Sequence, residues 1–425
     1  MRKKSLLILM LCFLAPALMF AQTYNIVIKG GHVIDPKNNI DGPMDIAVKD
    51  GKIALVARNI DAQEGLQVID ATGMYVTPGL IDNHVHVFHG PNLSQQYMNG
   101  PNSVMPDGFT FRVGVTTVVD AGSPGMRTFP DFKRQVIDIS QTRVLAYLNI
   151  VSEGMRGGPF EQNIGDMNAR QTGEFAKRNS EYIVGIKLAH FSGHDWTPII
   201  RGVEAGVIAD MPFMVDHGSA NPVLPLDSLF LHYFRPGDIY AHCYGGNDNI
   251  GNSGRQAITF NGQLRPFMQE ARNRGIIFEV GHGGGSFFYD VAIPATKAGF
   301  FPDVISTDLH ITSMNSAMKD LLTCMDKLME LGMDFKSVIN SVTWKPAQVI
   351  KRTELGHLTV GADADIAILN FRTGKFGLFD NRGIRRETDK KLECQVTIRA
   401  GRVVYDLNGI VTPLVAPRPA PAARQ

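Results

Sequence analysis

The stretch PGLIDNHVHVFHG, residues 78–90, decides how the rest of the chain is read. An apolar run ends in three histidines, His84, His86 and His89. In a β-strand, residues i and i+2 share a face. His84 and His86 therefore stand side by side, and His89 follows in the loop. Two neutral imidazoles on one face make a poor core and a good pair of metal ligands. A lone His-x-His also occurs as a buried core histidine beside a surface one, so the remaining sequence has to choose between these.

Working outward, similar apolar runs recur between residues 77 and 357. After GLIDNHVHV come GVTTVVDAG, RVLAYLNI, YIVGIKLAH, PFMVDHG, GDIYAHCYGG, IIFEVGHGGG and DVISTDLH. Amphipathic segments such as QLRPFMQEARNRG and MKDLLTCMDKLMELGMD separate several of them. Eight strands alternating with helices predict an α/β fold, a (β/α)8 TIM barrel with a parallel sheet. The flanks have a different texture. YNIVIKGGHVID, MDIAVKDGKIALVA and QVIDATGMYVTPG before the barrel, and DADIAILNF and ECQVTIRAGRVVYD after it, alternate apolar and polar residues between turn signals. They predict antiparallel strands of a small β-sandwich built from residues 22–76 and 358–408. The Pro/Ala-rich residues 409–425 read as a disordered tail.

The 425 residues carry 44% hydrophobic and 20% charged residues, which places the chain among globular proteins. A formal net charge of +1, without a dense basic block, argues against nucleic acid or an anionic membrane as a partner. Residues 1–21 combine a basic start, Arg2, Lys3 and Lys4, with an apolar stretch, and read as a signal peptide. The protein is thus expected to be secreted or periplasmic, with no stable membrane partner after cleavage. Cys12 would leave with that segment. Cys243, Cys324 and Cys394 are scattered and odd in number, which is no disulfide framework.

A barrel of this kind does its chemistry at the C-terminal ends of its strands. Ligand-type residues should gather there, and they do. Strand one ends in His84 and His86, and strand two in Asp120. Strand four carries Lys187, with His190 just beyond. Strand five ends in Asp216 and His217, strand six carries His242, strand seven His282, and strand eight ends in Asp308 and His310. Imidazole nitrogen and carboxylate oxygen suit a divalent metal, one position being kept open for water. Asp308 lies beside His84 and His86 once the barrel closes. It can bind metal, take a proton from bound water, or do both in turn. Lys187 fits least well. An ammonium beside a metal is repulsive, and a buried lysine tends to lose its proton. The bland alternative is a lysine snorkelling from the strand end.

These motifs resemble the amidohydrolase superfamily of metal-dependent barrels. More closely, the chain is similar to the bacterial amidohydrolase/deacetylase metallohydrolases, which are dihydroorotase-related and adenine deaminase-like. The resemblance runs from about Tyr24 to Asn408 through VTPGLIDNHVHVF, GVTTVVDAGSPG, VGIK, GDIYAHCYGG, FEVGHGGGSF, STDLH and LGHLTVGADADIAIL. It implies that His84, His86 and Asp308 bind the more buried of two metals. Lys187 would carry a CO2-derived carbamate that bridges both ions, and His242 would bind the second. Asp308 would act as general base and then as acid. His282 with its glycines, and His310, would line the substrate pocket. Zinc is the ion most expected, with manganese or iron as alternatives.

Two departures stand out. In MVDHG, Asp216 takes the place of a histidine that binds the second metal in the subgroup, and His217 follows it. Successive strand residues point to opposite faces, so without a bulge only one of the two can face the metals. One ion or two therefore stays open. LAHFSGH, after Lys187, replaces an arginine-containing stretch. The expected activity is cleavage of an amide or ester in a small-molecule substrate bearing a carboxylate, such as an N-acyl amino acid. Cyclic-amide hydrolysis, nucleobase deamination, and a metal-free binding protein are the competing readings. A homo-oligomer is compatible with the sequence.

Overall fold

The computed structural model describes residues 23–90, 102–218, 220, 222–247 and 255–411. The expected signal segment, and the tail from residue 412 onward, lie outside them. Seven parallel strands form the central sheet, in the order in which they occur along the chain. They are β1 (Leu80–Val85), β2 (Val115–Gly125), β3 (Arg143–Asn149), β4 (Ile183–Leu188), β5 (Phe213–Val215), β6 (Ile239–Tyr240) and β7 (Ile277–Phe278). Six fall inside the apolar runs read from the sequence, and β2 extends its run GVTTVVDAG by three residues, to Gly125. The eighth run forms no full strand. Residues 304–309 make one parallel bridge to each edge of the sheet, Glu279 with Val304 and Val85 with Leu309. Backbone hydrogen bonds from Val280 N to Val304 O (3.0 Å) and from His86 N to Leu309 O (2.8 Å) accompany them.

The strands are apolar on both faces, as a sheet covered on both sides requires. One face packs Ile81, Val119, Leu145, Tyr147, Val184, Met214 and Ile239 together. The other meets helices, including α1 (Ala169–Arg178), α2 (Thr197–Ala209), α3 (Phe267–Asn273), α4 (Tyr289–Lys297) and α5 (Leu321–Glu330). Caps fix where helices begin: Asn168 accepts from Gln171 N (3.0 Å) ahead of α1, and Asp320 from Thr323 N (2.6 Å) ahead of α5.

Both terminal segments join one sheet. Its order is Arg402–Asp406, Arg385–Arg399, Ile366–Phe379, Tyr75–Pro78, Tyr24–Asp35, Ile40–Lys49 and Lys52–Ala57, with Gly65–Asp70 also paired to Tyr24–Asp35. The expectation of antiparallel strands is corrected at two places. Gly65–Asp70 and Tyr75–Pro78 run parallel to Tyr24–Asp35. A bulge between Ile28 and Gly31 divides the long first strand, so its two halves serve different neighbours. The three described cysteines are free and buried. Among the described residues no helix is long and apolar enough to cross a membrane.

Candidate metal centre

The face of the sheet that is apolar at its base turns ionisable toward the C-terminal strand ends. Alternation carries Gly185 to Lys187 on β4, and Met214 to Asp216 just past β5. On β1 the same drift ends in His84 and His86, whose rings lie 5.6 Å apart. Asp308, from the bridging segment, meets both: its Oδ1 is 3.0 Å from His86 Nε2 and 3.6 Å from His84 Nε2. Ligand atoms of His84, His86 and Asp308 all lie within 4.8 Å of one another, and all three residues are buried. His242 joins from β6, with its ring 5.0 Å from that of His84.

Whether these residues suit a metal depends on the far ring nitrogens. His84 Nδ1 lies 3.3 Å from Glu279 Oε2, His86 Nδ1 2.9 Å from Ser123 Oγ, and His242 Nδ1 2.5 Å from Gly281 O. Each Nδ1 is occupied, which leaves each Nε2 for a cation. Metal-binding histidines are oriented in this way. Burial, and then the neighbouring charges of Lys187 and His242, push the His84 pKa down, so that imidazole stays neutral as a ligand must. Burial raises the Asp308 carboxyl, but the His86 hydrogen bond and the surrounding histidines outweigh it and hold Asp308 ionised. Asp120 steadies the assembly by accepting from Val87 N (2.9 Å) and Ser123 N (2.7 Å). The donor set therefore fits a divalent cation.

Lys187 lies inside this group, its Nζ 3.5 Å from His84 Nε2 and 3.4 Å from Met214 Sδ. Burial pushes its ammonium down, while Glu279 and Asp308 oppose. A Cβ on Gly122 would fall 2.5 Å from Lys187 Cγ, so glycine there makes room for the lysine stem. His242 and Asp308 both sit at positive φ, 62° and 52°, a conformation costly for non-glycine residues and concentrated at functional sites.

The strand-five pair separates. Asp216 Oδ2 is 3.6 Å from His242 Nε2 and 3.4 Å from His190 Nε2, and its Oδ1 accepts from the guanidinium of Arg255. The structure does not bring His217 to the group. Its Nε2 bonds Leu224 O (3.0 Å), and its ring stacks on Trp196. His310 caps a short helix through Nδ1, which accepts from Ser313 N and meets Thr312 Oγ1 at 2.7 Å. That leaves the proton on Nε2, 4.0 Å from Asp308 Oδ2. His282 is fully buried. Its Nε2 takes Lys327 Nζ at 2.6 Å, its Nδ1 meets Gly283 O at 3.0 Å, and its ring stacks on Phe287. It backs the glycine loop and has no ring nitrogen left for a substrate. His89 bonds Ser103 Oγ (2.9 Å), away from the group.

Sequence reasoning missed Glu279, Arg255 and Lys327. Glu279 had a signal, since a carboxylate inside the apolar run IIFEV must be paired or functional. Its Oε1 is buried without a hydrogen-bond partner, and burial raises its pKa. Arg255 and Lys327 lie in a loop and a helix whose patterns gave no comparable signal.

Against known proteins, a model of the amidohydrolase family matches residues 289–404. A deacetylase of Brucella anthropi is 34% identical over 351 residues, 81% of this chain and 83% of the relative. A deacetylase of Enterococcus faecalis is 30% identical over 389 residues, 90% of this chain and 99% of its own. The crystal structure of an adenine deaminase superposes with a TM-score of 0.79 at 30% identity, covering 90% of this chain and all of that one.

Proposed function

The chain belongs to the amidohydrolase superfamily, and from that premise we propose that it uses a divalent metal to hydrolyse an amide, or ester, bond in a small carboxylate-bearing molecule such as an N-acyl amino acid. The observation that carries this is the convergence of His84, His86 and Asp308, joined by His242, with every Nδ1 of the three imidazoles already engaged. On this reading residues 304–309, bridged to both edges of the seven-stranded parallel sheet, complete the barrel expected of such enzymes, and the terminal sheet around its own core is the small β-sandwich.

Zinc is the favoured ion. When bound, it would supply an acidified water and polarise the scissile carbonyl. His84 and His86 would hold it through Nε2, with Asp308 Oδ1. Asp308 keeps Oδ2 for a proton, which it takes from water and returns to the leaving group. His310 points a protonated Nε2 toward that oxygen and can donate to a substrate oxygen. Lys187, buried and pushed toward its neutral amine, is suited to a carbamate, whose negative charge removes the repulsion an ammonium would suffer beside a metal. The protein acts outside the cytoplasm if residues 1–21 are cleaved as a signal.

The test is a screen of metal-loaded protein against N-acyl-D- and N-acyl-L-amino acids, acyl esters, cyclic amides and nucleobases. Turnover of N-acyl amino acids is expected. Exclusive turnover of cyclic amides or nucleobases would replace the substrate assignment, and a protein that holds no metal would end the hydrolase reading. Asp308→Asn should lose at least 10²-fold in kcat with measurable metal retained. Unchanged kcat would remove Asp308 from the acid–base role.

A further inference from the structure

The corner beside β5 departs from a two-metal centre. A second ion would need Lys187, His242 and a ligand from the end of β5. His217 is tied to Leu224 O and Trp196. Asp216 faces the centre, but its Oδ1 already accepts from Arg255 Nη2, while Arg255 Nε donates to His217 O at 2.8 Å. The guanidinium thus grips two consecutive residues. It is mostly enclosed, with 14% of its side chain exposed. Glycines clear its berth: a Cβ on Gly218 would fall 2.4 Å from Arg255 Cβ, and one on Gly245 2.9 Å from Arg255 Nη1. A guanidinium keeps its proton in proteins, so this charge is permanent. Its field reaches Lys187, Asp308 and Glu279. Among the described residues, His84, His86 and Asp308 form the one group of three ligand atoms close enough to hold an ion.

We propose that Arg255 is the second cation of this centre: the protein holds one divalent ion at His84, His86 and Asp308, and the guanidinium, clamped by Asp216 and the His217 carbonyl, stands where the family resemblance would place a second ion. This rests on the hydrolase reading above. Like charges repel strongly in a poorly screened interior, so a dication and a guanidinium cannot share Asp216 cheaply. Asp216 is then a positioning residue for Arg255, which explains why a carboxylate replaces the usual histidine at this point. A carbamate on Lys187 would lie between one metal and an arginine rather than between two metals.

Metal counting tests this. Full-length protein is stripped with a chelator, reloaded with Zn2+, desalted, and its tightly bound zinc measured by mass spectrometry. The wild type should hold one equivalent. Arg255→Gln, which frees Asp216 and removes the charge, should rise toward two. Arg255→Lys, which keeps a cation, should stay at one. Cobalt loading gives a second readout: the wild type should show a single uncoupled high-spin Co2+ signal. Two tight equivalents or a spin-coupled cobalt pair in the wild type would overturn the proposal, as would Arg255→Gln remaining at one. Zero equivalents in the wild type would sink the hydrolase reading itself, and this proposal with it.

Discussion

The glycine loop after β7 allows the site geometry to be tested without touching a ligand. Gly283 has φ +53°, and a Cβ built on it would lie 2.3 Å from Asp308 Oδ2. Real Cβ atoms do not approach within 3.0 Å, so in Gly283→Ala something must move by at least their difference, 3.0 − 2.3 = 0.7 Å. Asp308 has little room to yield. Its own φ is 52°, its carbonyl accepts from Ser313 Oγ at 2.8 Å, and its Oδ1 is held 3.0 Å from His86 Nε2. The left-handed alanine costs about 1 kcal/mol of stability. If this oxygen carries the proton as proposed, misplacing it by roughly 1 Å costs on the order of 10²-fold in rate, or about 2.7 kcal/mol of barrier. The neighbours supply the controls. A Cβ on Gly284 makes only an ordinary contact, 3.8 Å to His310 Cε1, and one on Gly285 meets nothing within 4 Å. The assay is kcat/KM on the best substrate of the screen, with zinc content and melting temperature measured on the same samples. Gly283→Ala should lose about 10²-fold with zinc retained, and Gly285→Ala should match the wild type. A Gly283→Ala enzyme within twofold of wild type, or equal losses in all three variants, would refute the argument.

Two further variants probe the surroundings. Burial pushes the Lys327 ammonium from 10.5 down to about 8, so the folded protein releases this proton before the unfolded chain does. Between those pH values the unfolded state binds more protons, and stability should climb by about 3 kcal/mol as pH rises. Lys327→Met removes that increment, so denaturation midpoints followed from pH 7 to 10.5 should diverge between the two proteins, and parallel curves would contradict the burial argument. His217→Phe keeps the stack on Trp196 and loses one hydrogen bond, so it should cost about 1 kcal/mol of stability and leave the zinc content unchanged. Loss of zinc would return His217 to the ligand set.

Much of this was legible in the sequence, for reasons that can be named. The His84/His86 pair was readable because period-two alternation fixes a shared face, and the eight apolar runs because buried parallel strands are apolar on both faces. Residues 304–309 read as a full strand yet make only single bridges, because the chain turns to φ 52° at Asp308 to aim its carboxylate. Strand direction in the terminal sheet was illegible, since alternation carries no information about parallel or antiparallel pairing. Asp326 and Lys327 look like the solvated face of an amphipathic helix. They are buried because strand Arg385–Arg399 lies over α5, with Leu392 N donating to Asp326 Oδ1 at 3.0 Å. Arg255 could not be placed, because an irregular loop has no period to say which way its side chain points.

Fold closure and site assembly are one event here, and Asp82 is where they meet. It lies two residues before His84 and could be taken for a third ligand from the same motif. Instead, its Oδ1 accepts from Thr307 N at 3.1 Å and its Oδ2 from Thr307 Oγ1 at 2.5 Å. These bonds tie β1 to the bridging segment where the backbone ladder is thin. They also fix the residue immediately before Asp308, and so set that carboxylate against His84 and His86. On the other side, the Nδ1 supports of the imidazoles come from Glu279 and Gly281 near β7 and from Ser123 on β2. The three Nε2 atoms can therefore converge only when the two edges of the sheet have been brought together. A sheet left open at residues 304–309 would lose Asp308 from the group and part β7 from β1, taking the Glu279 support from His84. The sequence places a buried aspartate, with its pKa raised by that burial to about 7, at the seam. A carboxyl in so dry a place is retained for the bonds it makes, and those bonds hold residues 304–309 and the Asp308 carboxylate in the same position.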